Sequence, residues 1–424
     1  MEDLVPAYLA VKQIVSERKP YSPTLFKILQ TEKVAPLQAK KVKAVVYGVL
    51  NNYNKLCFDA MNVFTEYKKG DDETFLNIVA LYQLRVLKDD QKIIANAYVD
   101  AFNRLRLSGD AKANAALLTN AIKTPFKIPD EVKALPLAYD SLTLEMPEFL
   151  LGEMFKELGG ETAVKLSLEL HKKPVNFYAA NLFIKPMDNY VNDKRFTAIK
   201  LSDGQIIYKD TGSVLPKELK TGELYRLDYI AALAYAEVSI PSVSPRILFT
   251  DSHYPDSGIY FAMKTKDFYG ATILTSYSNP LTYRLAIDEK QKLNLNTVSP
   301  LLSPVALIKT YQEYDNFDLV VNEGYDSLIG TSRKHPGSLP SLTKKHITNC
   351  CKKQLADLLE SSEFVKKEGY LLFINSAILN NEGHDIVQQF LNVKKNFGVI
   401  KEKYVYPMEM DSDGGYYCLL RRDN

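Results

Sequence analysis

The first third of the chain repeats hydrophobic residues at helical spacing. Leu4, Tyr8 and Val11 recur every three to four positions, which is the pattern of an amphipathic helix with one buried face. Prolines interrupt the pattern at 124–137, a segment typical of a linker. Similar apolar spacing, separated by short turns containing Asp and Gly, occurs at 42–49, 75–87, 93–105 and 111–122. The pattern predicts an all-helical domain over residues 1–128.

The next segment, residues 138–215, combines two patterns. Two helical stretches come first, one entered by Pro147 and the other opened by Glu161. Short alternating segments rich in β-branched and aromatic residues follow, with a turn at 202–204. These predicted strands cover 175–183, 196–204 and 205–210. The combination predicts a small α+β module.

From residue 216 onward, short apolar runs alternate with helical patterns such as 351–365. The runs are typical of buried strands and lie at 247–250, 271–276, 317–322 and 369–374. Strands that alternate with helices predict a doubly wound parallel sheet, which binds ligands where its strands end. The closing segment, 413–422, predicts an antiparallel edge strand. We therefore expect a third, α/β domain over 216–424.

Composition limits the classes of protein to consider. A length of 424 residues predicts two or three domains, and 46% hydrophobic with 25% charged residues is ordinary for a globular protein. No apolar run reaches about 18 residues, and acids at Glu2 and Asp3 are unlike a secretory signal, so we expect a cytoplasmic protein without membrane spans. The net charge of +2 neither demands nor excludes a nucleic-acid partner. Four scattered cysteines exclude a disulfide framework or a CxxC zinc site.

Three C-terminal segments carry a family resemblance: YDNFDLVVNEGYDSLIGTSRKHPG (314–337), FVKKEGYLLFINSAILNNEGHDIVQQFL (364–391) and DGGYYCLLRR (413–422). Together they resemble the bacterial small-subunit ribosomal RNA methyltransferase B family, the Sun/NOL-type cytosine-5 RNA methyltransferases. That family has F-D-x-[VI]-L-x-D-A-P-C-S-G-x-G, then L-K-P-G-G-x-L-V-Y-S-T-C-S, then D-G-F-F. The matching positions are Phe317, Asp318, Ser327, Gly330, Arg333, Lys334, His335, Pro336, Lys366, Gly369, Ile378, Glu382, Asp413 and Gly414.

The resemblance extends over almost the whole chain. Segments 45–56 and 78–87 are similar to the NusB-like helical domain that precedes the enzyme in this family. Further matches are MPEFL at 146–150, Pro174, Asn181, Gly222 and Asp228. The resemblance thus implies a NusB-like helical domain, a small α+β RNA-contacting module and a Rossmann-type methyltransferase-like domain.

Both cysteines that the family's reaction needs are missing. A cysteine thiolate adds to C6 of cytosine to make C5 nucleophilic, and a second cysteine assists release of the product. By alignment these positions hold Asp326 and Ser376. A carboxylate is a weak nucleophile toward C6, and a serine needs an adjacent base that no histidine supplies by position. The sequence therefore predicts that covalent catalysis of this type is lost.

The segments that would bind S-adenosylmethionine are degraded as well. Of the family's motif L-D-x-x-A-A-P-G-G-K-T, only Asp251 and Gly258 remain in the equivalent segment of this chain. Ser276 stands where the second strand usually ends in an acid that holds the ribose. Glu323 replaces an aspartate at the end of the next predicted strand. The resemblance implies this cofactor, and the degraded pocket predicts that it binds weakly or not at all.

Other residues are candidates for contact with RNA. The resemblance makes Arg333, Lys334 and His335 a phosphate-binding loop, and it adds Asn181 from the small module. Tyrosines 178, 254, 277 and 325 are either stacking residues or packing residues. His253 and His384 have no second ligand at metal spacing, so we expect no metal site.

Three hypotheses follow from these patterns. The preferred one is an RNA-binding homologue, with small-subunit ribosomal RNA as its partner and without methyl transfer. The enzyme alternative is an active methyltransferase in which Glu323, Asp326 and Ser376 serve a divergent mechanism. The third is an interaction factor whose NusB-like domain binds a ribosome or transcription factor.

Overall fold

The computed structural model describes residues 4–64, 70–123, 125–212, 216–241, 243–309 and 316–423. The chain divides into two compact units. The first unit contains residues 1–172 together with 332–344, and the second contains 173–331 together with 345–424. The module predicted over 138–215 does not coincide with either unit, because its helices fall in the first and its strands in the second.

The first unit is helical, as predicted. Its core surrounds α5, in which every residue from Thr74 to Leu84 is buried. Gly48 of α3 allows the Tyr82 side chain of α5 to pack directly against the helix backbone, since a Cβ at position 48 would overlap the ring of Tyr82. The helices are α1 (Leu4–Ser16), α2 (Tyr21–Thr31), α3 (Pro36–Asn51), α4 (Tyr53–Val63), α5 (Asp72–Arg85), α6 (Gln91–Arg104), α7 (Ala111–Ala121), α8 (Asp130–Lys133), α9 (Pro136–Thr143), α10 (Glu148–Leu158), α11 (Gly160–Leu170) and α17 (Ser338–Ser341).

Local signals account for several of these helix ends. Asp90 and Asp110 each accept backbone amides of the following turn, which caps α6 and α7. Pro36 and Pro136 occupy first-turn positions, where a missing amide hydrogen costs nothing. The NusB-like assignment of this unit stays a prediction.

The second unit begins with a four-stranded antiparallel sheet in the order β2-β3-β1-β4. Its aromatic core includes Tyr178, Tyr190, Phe196 and Tyr208. The strands are β1 (Phe177–Ala180), β2 (Phe196–Lys200), β3 (Ile206–Asp210) and β4 (Leu224–Arg226).

A seven-stranded sheet in the order β10-β11-β9-β8-β5-β6-β7 forms the rest of this unit. The five strands from β9 to β7 are parallel, whereas β11 and β10 are antiparallel additions. Its strands are β5 (Arg246–Thr250), β6 (Thr272–Tyr277), β7 (Val298–Leu302), β8 (Phe317–Glu323), β9 (Val365–Asn375), β10 (Phe397–Val405) and β11 (Gly415–Arg422). The helices are α12 (Glu218–Thr221), α13 (Tyr229–Ala236), α14 (Ile259–Lys264), α15 (Pro280–Lys292), α16 (Val305–Ile308), α18 (Lys344–Ser362) and α19 (His384–Val393).

Both faces of this sheet are covered. In β5, Ile247 and Phe249 pack with α13 and α14, whereas Leu248 packs with the helices on the opposite face. All seven residues of β8 are buried, as expected for a central parallel strand. The predicted doubly wound α/β architecture is confirmed in this part of the chain.

The predicted position of the last strand is wrong in one respect. β11 pairs with β9 on one side and with β10 on the other, so β10 is the edge strand. The solvent-facing Val399 and Ile400 interrupt the alternation that would have marked β10 in the sequence. In the described part of the chain, no helix combines the length and apolarity needed to cross a bilayer.

Candidate functional site

The carboxyl ends of β5, β6, β8 and β9 lie side by side, and the residues predicted for cofactor and catalysis follow them. Asp251 follows β5, Ser276 is the next-to-last residue of β6, and Glu323 ends β8. Ser376 follows β9 directly. Because parallel strands present their carboxyl ends at one edge, the fold gathers these residues into one site.

The loop after β5 is held tightly against β6. The amide of Asp251, which has a left-handed φ of 48°, donates to Ser276 Oγ at 2.9 Å, and the amide of Ser252 donates to the Ser276 carbonyl at 2.7 Å. Gly258 ends the loop with a φ of 84°, and a Cβ there would lie 2.9 Å from Thr275 Cγ2. Gly258 is therefore required for packing of the loop against the sheet.

The carboxyl group of Asp251 is only partly satisfied. Its Oδ2 lies 3.5 Å from the Lys353 ammonium, and its buried Oδ1 has no hydrogen-bond partner among the described residues. The Ser276 hydroxyl, fully buried, is already used as an acceptor by the Asp251 amide. At the end of β6, a ribose would therefore meet the Ser276 hydroxyl, which already accepts the Asp251 amide, and would not meet a carboxylate.

Both carboxylate oxygens of Glu323 accept hydrogen bonds from side chains of the protein. Its Oε1 accepts a hydrogen bond from the Tyr235 hydroxyl at 2.9 Å, and its Oε2 accepts one from Ser257 Oγ at 2.6 Å. Burial raises the pKa of the Glu323 carboxyl above its ordinary value. Burial, with the charges of Asp228 and Glu323, also raises the pKa of Asp256 to about 7.

These side chains do not fit S-adenosylmethionine. The ribose acid is replaced by Ser276, and Glu323 is already bonded to two protein hydroxyls. Tyr254, which the resemblance places in the family's glycine-rich loop, is 38% exposed as a residue, while burial of its hydroxyl raises the pKa of Tyr254 well above its ordinary value.

Asp326 and Ser376, which the resemblance aligns with the two cysteine positions of that family, bond directly to each other. Asp326 Oδ1 accepts the Ser376 hydroxyl at 2.7 Å, and Asp326 Oδ2 accepts the Ser376 amide. Asp326 Oδ1 also accepts the amide of Leu328 at 2.7 Å. Only 8% of Asp326 and 5% of Ser376 is exposed. The two positions thus form a closed, buried pair.

A second buried carboxyl, Glu382, lies beside this pair. It accepts the Ser327 hydroxyl at 2.6 Å and the Ser327 amide at 3.0 Å. Burial and the neighbouring charge of Asp326 raise the pKa of Glu382 to about 8. At neutral pH the Glu382 carboxyl is therefore mainly protonated, which avoids two buried like charges side by side.

The cysteines of the second unit are buried or partly buried, and the pKa values of Cys351 and Cys418 are raised. Cys350 and Cys418 are fully buried, and burial raises the pKa of Cys418 to about 12. Cys351 is partly buried with its Sγ 3.2 Å from the Asn381 carbonyl, and burial together with Glu382 raises its pKa to about 11. A nucleophilic cysteine needs a lowered pKa, so these thiols have the opposite electrostatics.

Gly330 joins the three segments that carry the family resemblance. Its amide donates to the Ser376 carbonyl at 3.0 Å, and its carbonyl accepts the Gly414 amide at 2.8 Å. A Cβ at Gly330 would overlap both the Ser376 and Gly414 carbonyl oxygens. The glycine is required because backbone approaches it from two sides.

Two residues predicted to contact RNA are internal. Arg333 is 2% exposed, and within the first unit its guanidinium bonds the carbonyl and the carboxylate of Glu169 at 2.7 and 2.6 Å. Asn181 is fully buried, where it donates to the Gly222 carbonyl and accepts the Phe183 amide. The side chains of Arg333 and Asn181 therefore make their hydrogen bonds inside the fold, and phosphate contact by either one stays a prediction. Lys334 and His335 are partly exposed, and their role stays a prediction.

The tyrosines separate into two groups. Tyr178 and Tyr277 are fully buried packing residues, whereas Tyr254 and Tyr325 are 38% and 39% exposed. The Tyr325 ring lies 5.9 Å from the His253 ring and also 5.9 Å from the Lys353 ammonium. Nδ1 of His384, the other histidine considered, is 2.7 Å from Glu402 Oε1. Within the described ranges, no group of three or more His, Cys, Asp or Glu side chains could hold a metal.

Three contributors to the site carried no signal in the sequence. Tyr235 and Ser257 bind Glu323, and Lys353 approaches Asp251 from α18. Tyr235 and Lys353 lie outside the motifs that the sequence analysis used, and Ser257 lies in the degraded cofactor loop without matching its motif. Only tertiary structure brings them to the strand ends.

Comparison with known proteins identifies the fold. No family model matches the sequence, and no curated protein matches it. The protein PH0851 is similar in structure with a TM-score of 0.76 at 13% identity, over 99% of this chain and 98% of its own. A methyltransferase homolog protein from Pyrococcus horikoshii matches 68% of this chain and 99% of its own (TM-score 0.57, 15% identity). NSun6 from Pyrococcus horikoshii, solved with SFG, matches 66% and 98% (TM-score 0.52, 11% identity). The chain therefore shares the fold of these three proteins.

Proposed function

We propose that this chain is an RNA-binding protein built on a methyltransferase fold and that it does not transfer methyl groups by cysteine chemistry. The observation that carries the proposal is the buried bond between Asp326 and Ser376. A nucleophile must face the substrate, and here both side chains are buried and bonded to each other inside the fold.

The cofactor side of the site supports the same proposal. Ser276 and Glu323 are both used to hold the protein's own loops. A methyl donor bound there would have to displace these hydrogen bonds. We therefore expect S-adenosylmethionine to bind weakly or not at all.

RNA is the partner that the family resemblance favours, and NSun6 and the methyltransferase homolog supply structural precedent for the fold only. Within that resemblance, small-subunit ribosomal RNA is the specific candidate and the cytoplasm is the expected compartment. Binding needs only placed positive charge and stacking surfaces, both of which survive the loss of a catalytic site.

The test combines methyl transfer with RNA binding. The full chain is incubated with tritium-labelled S-adenosylmethionine and small-subunit ribosomal RNA, and the RNA is digested to nucleosides. We expect no label above a protein-free control. Label at cytosine C5 would contradict the proposal.

RNA affinity is measured in parallel by filter binding at several salt concentrations. We expect saturable binding that weakens with salt, because phosphate contacts release counterions. An affinity that is absent or insensitive to salt would reject RNA as the partner.

A further inference from the structure

The outer face of α15 in the second unit carries two leucines that are open to solvent. Leu281 is 57% exposed and Leu285 is 45% exposed, and because they are four positions apart they lie on one face of the helix. Among the thirteen residues of α15, only Ala286 is buried. A single exposed leucine is ordinary on a protein surface, whereas an apolar strip along a helix is typical of a contact surface.

Two residues of opposite charge lie beside these leucines. Arg284 and Asp288 are exposed, and the helical repeat places them with Leu281 and Leu285 within about 100° of the helix surface. In the part of the chain that the structure describes, neither Arg284 nor Asp288 has an oppositely charged group within ion-pair distance. The outer face of α15 is therefore an apolar strip bordered by one unpaired cation and one unpaired anion.

The position of α15 at one edge of the sheet limits what could bind there. The seven-stranded sheet ends on this side at β7, the strand that follows α15. Pro300 in the middle of β7 has no amide hydrogen to donate, so addition of another strand to this edge is disfavoured. A partner at this edge is therefore expected to contact the face of the helix and not to extend the sheet.

A second copy of the same chain is the partner that this strip fits. Positions 284 and 288 are equally distant from Ala286 along the chain. If two α15 helices pack antiparallel about a two-fold axis at the level of Ala286, Arg284 of each copy lies opposite Asp288 of the other, and the two Leu285 side chains meet. Both charge pairs then form together while the leucines leave water. A partner of different composition would require no such symmetry of charge.

We propose that the outer face of α15 is the contact surface of a homodimer, with Leu281 and Leu285 in the contact and reciprocal pairs of Arg284 with Asp288. This proposal is independent of the proposed RNA-binding function. One helix supplies less area than the roughly 1,200–2,000 Å² of a stable interface, so the dimer is weak and reversible. Heating separates the copies before either one unfolds, so changes on α15 leave the thermal midpoint of the chain unchanged.

Sedimentation velocity of the full chain, at concentrations from about 1 to about 200 µM, measures the association. We expect a monomer at the lowest concentration and an increasing fraction of dimer toward the highest. L281Q/L285Q should raise the dissociation constant at least about tenfold, because it removes the apolar surface of the contact. The matched variant L37Q/L168Q changes two leucines of the helical unit that are 82% and 55% exposed, and it should dimerise like the natural chain.

Charge reversal at low ionic strength tests the reciprocal pairing. R284D brings two acids opposite each other and D288R brings two arginines opposite each other, so each variant alone should dimerise at least about tenfold more weakly than the natural chain. R284D/D288R exchanges the two charges and should dimerise like the natural chain. An equimolar mixture of R284D and D288R should form a heterodimer, since each pair between the two copies is again one cation and one anion.

Three outcomes would overturn the proposal. The first is a natural chain that stays monomeric at about 200 µM. The second is dimerisation that L281Q/L285Q leaves unchanged, because another surface would then form the contact. The third is a mixture of R284D and D288R that does not associate, because the antiparallel two-fold arrangement requires it to. Circular dichroism and the thermal midpoint of each variant, both expected to match the natural chain, separate loss of the contact from loss of the fold.

Discussion

The carboxylate of Asp326 holds Ser376 by two hydrogen bonds, one from the hydroxyl at 2.7 Å and one from the backbone amide. This relationship fixes the loop after β8 to the end of β9 across 50 positions of sequence. In the family that the sequence resembles, both positions hold cysteines that must reach a pyrimidine. Here the residues aligned with those positions are hydrogen-bonded to each other.

Replacing Asp326 by Asn should destabilise the second unit. In either orientation, the Asn amide nitrogen would face a backbone N–H, from Ser376 or from Leu328, that the carboxylate now accepts. A buried donor left without an acceptor costs about 1–3 kcal/mol, so the thermal midpoint should fall by roughly 2–4 °C for each kcal/mol. Differential scanning calorimetry of D326N measures this.

S376A and D288N are the comparisons for D326N. S376A removes only the hydroxyl and should cost less, about 1 kcal/mol. D288N changes an exposed carboxyl on α15 and should leave the midpoint unchanged. A midpoint for D326N equal to that of D288N would show that the hydrogen-bonded pair of Asp326 and Ser376 does not stabilise the fold.

Restoring both cysteines should not restore methylation. The double variant D326C/S376C places thiols at the two family positions, but Ser276 and Glu323 remain committed to the loop after β5. Without a bound methyl donor, a thiol adduct at C6 has nothing to receive. Radiolabel transfer from S-adenosylmethionine to RNA should stay at background, and transfer that appears with this variant would mean that the cofactor site is intact.

The raised pKa of Glu382 predicts a specific pH dependence of stability. The folded chain keeps this proton up to a pKa of about 8, whereas the unfolded chain releases it near 4.5. Between these values the folded state binds more protons than the unfolded state, so the contribution of Glu382 to stability falls as pH rises from about 4.5 to about 8. Above pH 8 both states are ionised and the contribution is constant.

E382Q isolates this effect because glutamine mimics the protonated acid. The midpoint of the natural chain minus that of E382Q should decrease steadily across the window and then level off. Other carboxyl groups with a raised pKa, such as Glu145 and Asp256, are present in both proteins. Their contributions to the midpoint therefore cancel in the difference. A difference that is independent of pH would exclude a raised pKa at Glu382.

Removing Arg333 should unfold structure rather than weaken RNA binding directly. Its guanidinium is enclosed and bonded to both the carbonyl and the carboxylate of Glu169. Loss of one partner of a buried pair costs about 3–5 kcal/mol. R333K should not rescue R333A, because an ammonium cannot reproduce the two directed bonds.

K27Q is the control for the Arg333 variants, since Lys27 is an exposed cation of the same helical unit. It should leave the thermal midpoint of the helical unit unchanged. If R333A melts like the natural chain and instead loses RNA affinity, the assignment of Arg333 as a structural residue is wrong.

Gly330 should not tolerate a side chain. The Cβ of alanine would overlap the carbonyl oxygens of Ser376 and Gly414, which are backbone atoms that cannot move aside independently. Overpacking of this kind costs about 1–3 kcal/mol. G398A, where a Cβ meets nothing within 4 Å, is the control, and equal midpoints for G330A and G398A would refute the close approach.

The parallel strands were predictable because they are buried on both faces. Runs at 247–250 and 317–322 agree with β5 and β8 to within one residue at each end. β7 was not predicted, since Pro300 interrupts its five residues. β10 was missed because Val399 and Ile400 face solvent, and its absence from the prediction placed β11 at the edge.

The candidate site was only partly predictable. Aligned motifs locate Asp326 and Ser376, but no local pattern indicates that they bond to each other. Charge at Arg333 predicts a surface role, whereas its partner Glu169 lies 164 positions earlier in the chain. Sequence reveals which residue types are present, and long-range packing decides whether they are available to a ligand.

The inclusion of residues 332–344 in the helical unit has a consequence for dissecting this protein. The chain passes from one compact unit to the other after residues 172, 331 and 344, so neither unit is a single continuous stretch. A fragment ending at residue 172 would leave Glu169 without Arg333 and would uncover Ile14, which contacts Gly337 closely. Neither unit can therefore be expressed alone, or exchanged with another protein, as one continuous fragment of the chain.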